Sequence, residues 1–285
     1  MLLRPLLSRY DHVLLDLDGC VWVGDDATPR AVEAIDALRG AHKGVAFVTN
    51  DARVGAEDLV RKLWGLGCRA AVEEVVTVGG ALQHVLNESH SGRSAFVVGS
   101  PAIHRHVADA GLRIVNGTAF ASRAEVVVVA GHAGFDYEEM RIATQAVWRG
   151  AHLLSTGRDA TFPMADGPWP GTGAILASIE YATDVVAVSV GKPEAQLHLT
   201  ALDRLGVERP ARSAEGARGP RPRVLAVGDR IDADLGGAHA AGLDCAIVLT
   251  GASSDVEARA AQDRPVEEPR PVAVAESLGA LVLGD

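Results

Sequence analysis

The chain is poor in cysteine, and Cys20, Cys68 and Cys245 are scattered, odd in number and form no CxxC pair. That excludes a disulfide framework and a zinc site of cysteines and points to a reducing compartment. The ten histidines show no metal-ligand spacing. Positive charge is also in deficit, with 27 basic residues against 37 acidic ones and a formal charge of -10. A surface of that average sign excludes nucleic acid as the expected partner but leaves room for a local positive pocket for a small anion. Long apolar runs are absent. The longest, "EVVVVAG", is strand-sized and far below a membrane span, and the opening "MLLRPLLSRY" is too short and too broken by Arg4 and Pro5 for a signal peptide. A soluble cytoplasmic protein is expected, with no membrane partner.

What is present is a regular alternation in a 285-residue chain that is 48% hydrophobic. Apolar runs at 12–18, 44–50, 94–100, 124–131, 151–156, 223–229 and 244–249 predict strands, and amphipathic stretches at 30–40, 56–66, 137–149, 194–205 and 232–242 predict helices. Near-continuous Val/Ile/Leu strands alternating with helices predict an α/β fold with a doubly wound, mainly parallel sheet covered on both faces. No internal repeat is found. The segment "RPARSAEGARGPRPR" (209–223) reads as an exposed, mobile surface insertion rather than an anion-binding arm.

Polar residues close three of the predicted strands, where ligands gather in doubly wound sheets. Asp16 and Asp18 with Gly19 end the first, Thr49 and Asn50 end "GVAFVTN", and Asp229 ends "RVLAVGD", followed by Asp232 and Asp234. Lys192 precedes Pro193, which suits the first turn of a helix and would place the lysine at its amino end. Converging carboxylates suggest a hard divalent cation with oxygen ligands, most simply Mg²⁺. A cation and a lysine would mask a phosphate's charge and let one carboxylate attack phosphorus, while its neighbour two residues on handles protons. Bland readings compete: the two aspartates could cap a turn, Thr49-Asn50 could be a strand-to-loop turn, and Lys192 could be a solvated lysine. Asp232 reads as an exposed helix-start residue. His104 and His106 read as the wet face of a helix, and His132 as loop polarity. Gly171-Thr172-Gly173 reads as a helix start, not a dinucleotide loop. Cys20 reads as a buried small hydrophobe rather than a redox-sensitive thiol.

Four ordered motifs, "DLDGCVW", "FVTNDAR", "GKPE" and "VGDRIDADLGGAHAAGL", carry a resemblance over nearly the whole chain. The sequence is similar to the haloacid dehalogenase superfamily, specifically the class IIA capped branch of NagD-like, p-nitrophenyl-phosphate and phosphoglycolate phosphatases. The resemblance implies a Rossmann-like core at 1–80 and 188–285 with an α/β cap inserted at 81–187. It implies Asp16 as nucleophile, Asp18 as general acid/base, and Mg²⁺ held by Asp16, Asp18 through its carbonyl, and Asp229, with Asp234 supporting the metal shell. It also implies a phosphate site of Thr49, Asn50, Asp51 and Lys192. The chain departs from the family at Cys20, where Thr or Val is usual, at Asp51, where a second Asn is usual, and at Thr156-Gly157 before the substrate-facing loop.

The expected function is Mg²⁺-dependent hydrolysis of a small phosphomonoester through an aspartyl-phosphate. The long stretch 155–173 is the candidate specificity loop. There Arg158 would bind a second anionic group, with Asp159 beside it. Phe162 and Trp169 would either stack on an aromatic leaving group or pack the cap against the core. Glycerol phosphate and phosphoglycolate lead as substrates, with nucleoside monophosphate or pyridoxal phosphate as alternatives. A phosphotransferase and a phospho-aspartate signalling receiver are the competing classes. Relatives often form homodimers through the cap.

Overall fold

The computed structural model describes residues 3–164, 167–208 and 223–284. The insertion expected at 209–223 lies outside them apart from Arg223. The described chain divides into two compact units: residues 1–49, 56–76 and 192–285 form the first, and 50–55 with 77–191 form the second.

The first unit opens with β1 (His12–Asp16), a hairpin of β2 (Trp22–Val23) and β3 (Asp26–Ala27), α1 (Ala31–Gly40), β4 (Gly44–Thr49), α2 (Ala56–Gly65) and β5 (Val75–Thr77). Helix α1 buries Ala31, Ala34, Ile35 and Leu38, the spacing of one apolar helical stripe. In the second unit follow α3 (Val78–His90), β6 (Ser94–Val98), α4 (Pro101–Asp109), β7 (Arg113–Ile114), β8 (Val126–Val129), α5 (Tyr137–Trp148), β9 (His152–Ser155), β10 (Thr161–Met164), β11 (Gly167–Pro170), α6 (Thr172–Thr183) and β12 (Val188–Ser189). The chain returns to the first unit with α7 (Gln196–Arg204), β13 (Val224–Gly228), α8 (Gly236–Ala240), β14 (Asp244–Val248), α9 (Asp255–Gln262), β15 (Ala273–Ala275) and α10 (Leu278–Leu283).

The first unit's sheet runs β15-β14-β13-β1-β4-β5. Strand β1 pairs in parallel with both β13 and β4, so the carboxyl ends of these three strands lie at one edge. Because β1 is central, it is buried on both faces, and its sequence is a continuous apolar run rather than an alternating one. The register sets Leu15 opposite Val227 and Asp16 opposite Val48. Asp16, Thr49 and Asp229 therefore emerge side by side.

The second unit has its own parallel sheet, β12-β9-β8-β6-β7. The all-valine β8 lies in its interior, with Val126, Val127, Val128 and Val129 fully buried. Gly171 caps the amino end of α6, as the sequence predicts for 171–173.

Two local expectations are corrected. Pro193 does not open a helix: the Lys192–Pro193 peptide is cis, and α7 starts three residues later, at Gln196. His104 and His106 are half-buried, not on a wet face: α4 lays His106 against α3, and His104 stands near His132 and Glu139. The His106 Nδ1 lies 2.8 Å from Gln83 Oε1, above Gly79, where an added Cβ would meet the imidazole at 2.5 Å.

Candidate active site

The site of the first unit is built at the edge where β1, β4 and β13 end. Asp16 is 6% exposed, because four apolar residues carry β1 through the core and deliver its last residue to that edge. Lys192, 4% exposed, donates from Nζ to Asp16 Oδ1 and, at 2.6 Å, to Asp234 Oδ1. Asp234 Oδ2 accepts from the backbone N–H groups of Asp229 (3.1 Å) and Arg230 (3.0 Å). Asp234 thus braces the turn after β13 and positions the lysine. Asp229 Oδ2 accepts from Ala252 N at 2.6 Å. Gly19 and Gly251 wrap Asp229 so closely that a Cβ on either would collide with its carboxylate.

Carboxylate oxygens of Asp16, Asp229 and Asp234 lie within 4.8 Å of one another, all three buried. Burial pushes the Asp16 carboxyl well above the usual carboxylate range. Lys192 pulls against this, and the Asp234 and Asp229 charges add to it. Burial, then Asp234, raises Asp229 to about 6. Desolvation works against the Lys192 ammonium, but Asp16 and Asp234 outweigh it and keep the amine protonated. Three buried carboxylates facing one ammonium leave an excess of negative charge in a dry site, which a second positive charge with oxygen ligands would neutralise. Of the three, Asp16 and Asp229 suit that role best. Each has one oxygen engaged by the protein, whereas Asp234 is engaged through both.

Asp18 is exposed and stands apart from the buried carboxylate cluster. Its Oδ1 accepts from the indole N–H of Trp22 at 2.8 Å. The Trp22 ring is 1% exposed and carries Lys62 Nζ over its face, 4.5 Å from a ring centroid. A rigid buried ring thus aims one exposed carboxylate. Trp22→Phe keeps a smaller aromatic ring and removes the donor, and turnover is expected to fall about tenfold from the loss of one charge-assisted hydrogen bond. Unchanged kcat in that variant would show that Asp18 orients without Trp22.

Thr49, 2% exposed, closes β4 in the same unit. Asn50, Asp51, Arg158, Asp159, Phe162 and Trp169 belong to the second unit. Asn50 Nδ2 lies 3.5 Å from Asp159 Oδ2. Asp51 accepts from Arg53 N at 2.8 Å and from Arg53 Nε and Nη2 at 2.9 Å, so both its oxygens serve a turn and an ion pair. As an acceptor it brings no donor to a phosphate, which weighs against the expected contact. Arg158 is committed to Glu180, with Nη1–Oε2 at 3.2 Å and Nη2–Oε1 at 2.9 Å, and donates to Ala187 O at 2.9 Å. Trp169 is 36% exposed on the β10–β11 hairpin, and its backbone lies opposite that of Phe162. Asp232 pairs with Arg230 at 3.2 Å and is exposed in the first turn of the short helix Ile231–Leu235, as its helix-start reading expects. His132 lies 2.9 Å from Glu139, which corrects its reading as plain loop polarity. Cys20 is fully buried, and burial first, then Asp16, drives its thiol pKa up, which makes it an inert small hydrophobe.

Sequence reading missed Trp22, the Gly251–Ala252 turn and His198. His198 is buried, has no partner for its Nδ1 among the described residues, and is held down to about 4 by burial and then by Lys192. Only the turn left a signal, a glycine at the carboxyl end of a predicted strand.

The doubly wound sheet, with carboxylates and a lysine at its strand ends, defines an α/β enzyme whose site handles a cation and an anion together. Comparison with known proteins gives the family. A profile of haloacid dehalogenase-like hydrolases matches residues 13–113, and a HAD-hydrolase-like profile matches 189–281. The D-glycerol 3-phosphate phosphatase of Mycobacterium tuberculosis is 32% identical over 268 residues, 94% of this chain and 70% of that protein. A crystal structure of that organism's glycerol phosphate phosphatase in complex with magnesium superposes with a TM-score of 0.83 at 31% identity, covering 98% of this chain and 78% of the other. The acid sugar phosphatase of Staphylococcus epidermidis is 31% identical, covering 87% of this chain and 90% of its own. The p-nitrophenyl phosphatase of Archaeoglobus fulgidus gives a TM-score of 0.81 at 27% identity, covering 94% and 97%. The chain belongs to the haloacid dehalogenase-like hydrolases, in their capped class IIA branch. It is a phosphoric monoester hydrolase.

Proposed function

We propose that the protein is a Mg²⁺-dependent phosphatase of small phosphomonoesters, glycerol 3-phosphate first among them, working through an aspartyl-phosphate on Asp16. The observation that carries the reading is the buried Asp16–Lys192–Asp234 network with Asp229 beside it. Asp16 Oδ attacks phosphorus and the P–O ester bond breaks. Asp18, held by Trp22, gives its proton to the departing oxygen. Asp18 then takes a proton from water as the water attacks the aspartyl-phosphate, which releases inorganic phosphate and restores both carboxyl groups. Lys192 holds charge on Asp16 and the phosphoryl oxygens, and Thr49 and Asn50 hold phosphate oxygens. Asp16, the Asp18 carbonyl and Asp229 would hold Mg²⁺, with Asp234 in support. Bound there, Mg²⁺ supplies positive charge against the phosphoryl oxygens.

Residues 81–187 act in this reading as the inserted cap, and the hairpin with Asp159, Phe162 and Trp169 carries specificity. Arg158, bound to Glu180, offers little to a second anionic group, which favours an uncharged leaving group such as glycerol over phosphoglycolate. Three buried unpaired cysteines suit a reducing, cytoplasmic setting. Among the described residues no helix is long and apolar enough to cross a membrane. A homodimer through the cap remains part of the proposal.

Phosphate release across glycerol phosphate, phosphoglycolate, sugar phosphates, nucleoside monophosphates and pyridoxal phosphate tests the reading. Glycerol phosphate should lead phosphoglycolate, and the reverse order would overturn the assignment drawn from Arg158. Acid should also weaken the metal site. As pH falls through about 6, Asp229 takes up a proton that Mg²⁺ must displace. The half-saturating Mg²⁺ concentration is expected to rise about tenfold per pH unit below that point. A Mg²⁺ requirement independent of pH would remove Asp229 from the ligand set.

A further inference from the structure

A second concentration of charge lies wholly within the second unit and has the opposite sign. Strands β6, β8 and β9 are parallel, so their amino ends share one edge of the sheet, opposite the edge where doubly wound sheets gather ligands. A pocket of about 500 Å³ opens there, lined by Arg93, Arg123, Glu125, Arg149 and His152. His90 stands against His152, ring centroids 5.1 Å apart, and its buried Nδ1 has no hydrogen-bond partner among the described residues. In a chain of net charge -10, three arginines and one histidine around one open pocket, against a single glutamate, need a reason.

Structural duty accounts for part of this charge. Arg149 caps α5, donating to Gln145 O and Ser122 O at 2.9 Å each. Cations at a helix carboxyl end also complement its dipole. Glu125 forms no close ion pair with these arginines among the described residues, its Oε2 accepting from both Ser94 N and Ser94 Oγ at 2.9 Å, although its charge offsets part of that of Arg93. Elsewhere in this unit Arg53, Arg141 and Arg158 each pair with a carboxylate, whereas Arg105 and Arg113 do not among the described residues. Arg93 and Arg123 have no such ion pair among the described residues, although both line the cavity. Burial first, then the His152 and Arg93 charges, holds the His90 pKa down.

We infer that this pocket is a second anion site, for a small organic molecule carrying at least two phosphate charges, such as a nucleoside diphosphate. Guanidinium forks suit phosphate oxygens, the volume suits a small organic molecule rather than a bare ion, and the confinement of the charge excludes a nucleic-acid track. The site does not depend on the reaction at Asp16, and its test does not use turnover as the signal.

The imidazole NMR signals of His90 and His152, followed in the Mg²⁺-loaded protein during titration with ADP, report on the pocket directly. The expected result is a saturable shift with half-saturation below about 1 mM and no shift with adenosine. Arg93→Ser with Arg123→Ser should weaken ADP binding by at least about tenfold, while p-nitrophenyl phosphate turnover stays within about twofold of the parent. Silence of both histidines up to about 10 mM ADP overturns the inference. So does an unaltered response in the double variant, an equal response to adenosine, or equally tight binding of citrate.

Discussion

Asp16→Asn abolishes phosphate release from p-nitrophenyl phosphate, a loss of about four orders of magnitude or more, and leaves the protein folded. The amide nearly matches the carboxylate in shape but lacks the negative charge that makes its oxygen attack phosphorus. Lys192 keeps Asp234 as a partner at 2.6 Å, so no buried ammonium is stranded. The variant also removes a carboxylate whose ionisation burial and the Asp234 and Asp229 charges oppose, which offsets part of any lost hydrogen bonding. Its Tm should therefore stay near that of the parent in EDTA. Metal-dependent turnover undiminished in Asp16→Asn would sink the nucleophile assignment, and with it the aspartyl-phosphate.

Lys192→Met should produce the reverse pairing, a large loss of both activity and stability. Methionine fills the space of the lysine stem but leaves Asp16 and Asp234 facing each other without the ammonium. Removing one partner of a buried ion network costs about 3–5 kcal/mol, and removing one electrostatic clamp on a reacting phosphoryl group costs about 10³ in kcat. Mg²⁺ binds only the assembled cluster, so it should recover part of the lost Tm, and EDTA should remove that gain. Thermal unfolding in EDTA and in Mg²⁺ measures both. A Tm in EDTA equal to the parent's would mean that the lysine holds no net charge balance in the folded state.

The residues that give the site its chemistry were legible because each sits where an apolar run stops. Asp16, Thr49 and Asp229 were found that way, and the parallel register brings them to one edge. The seven long apolar runs all became strands, while β5, β7, β12 and β15 went unread because two or three residues at a sheet edge carry no period. Pro193 misled because a cis bond and a helix start look alike in sequence. Partners 22 residues apart, such as Arg158 and Glu180, leave no local trace, and a residue acting through its backbone, such as Ala252, can be any residue at all. Trp22 was visible as a letter in the first motif, but its hold on Asp18 depends on a turn that only the folded chain shows.

The carboxylate cluster takes Asp16 from the first strand, its counter-charge from residue 192, and the remaining carboxylates from residues 229 and 234. During synthesis the entire second unit is made before any of these last three residues exists. A nascent or truncated chain ending before Lys192 therefore carries Asp16 with neither its lysine partner nor the carboxylates of Asp229 and Asp234, and is expected to be silent toward the cell's phosphate esters. Catalytic competence arrives late and all at once, with the final third of the chain.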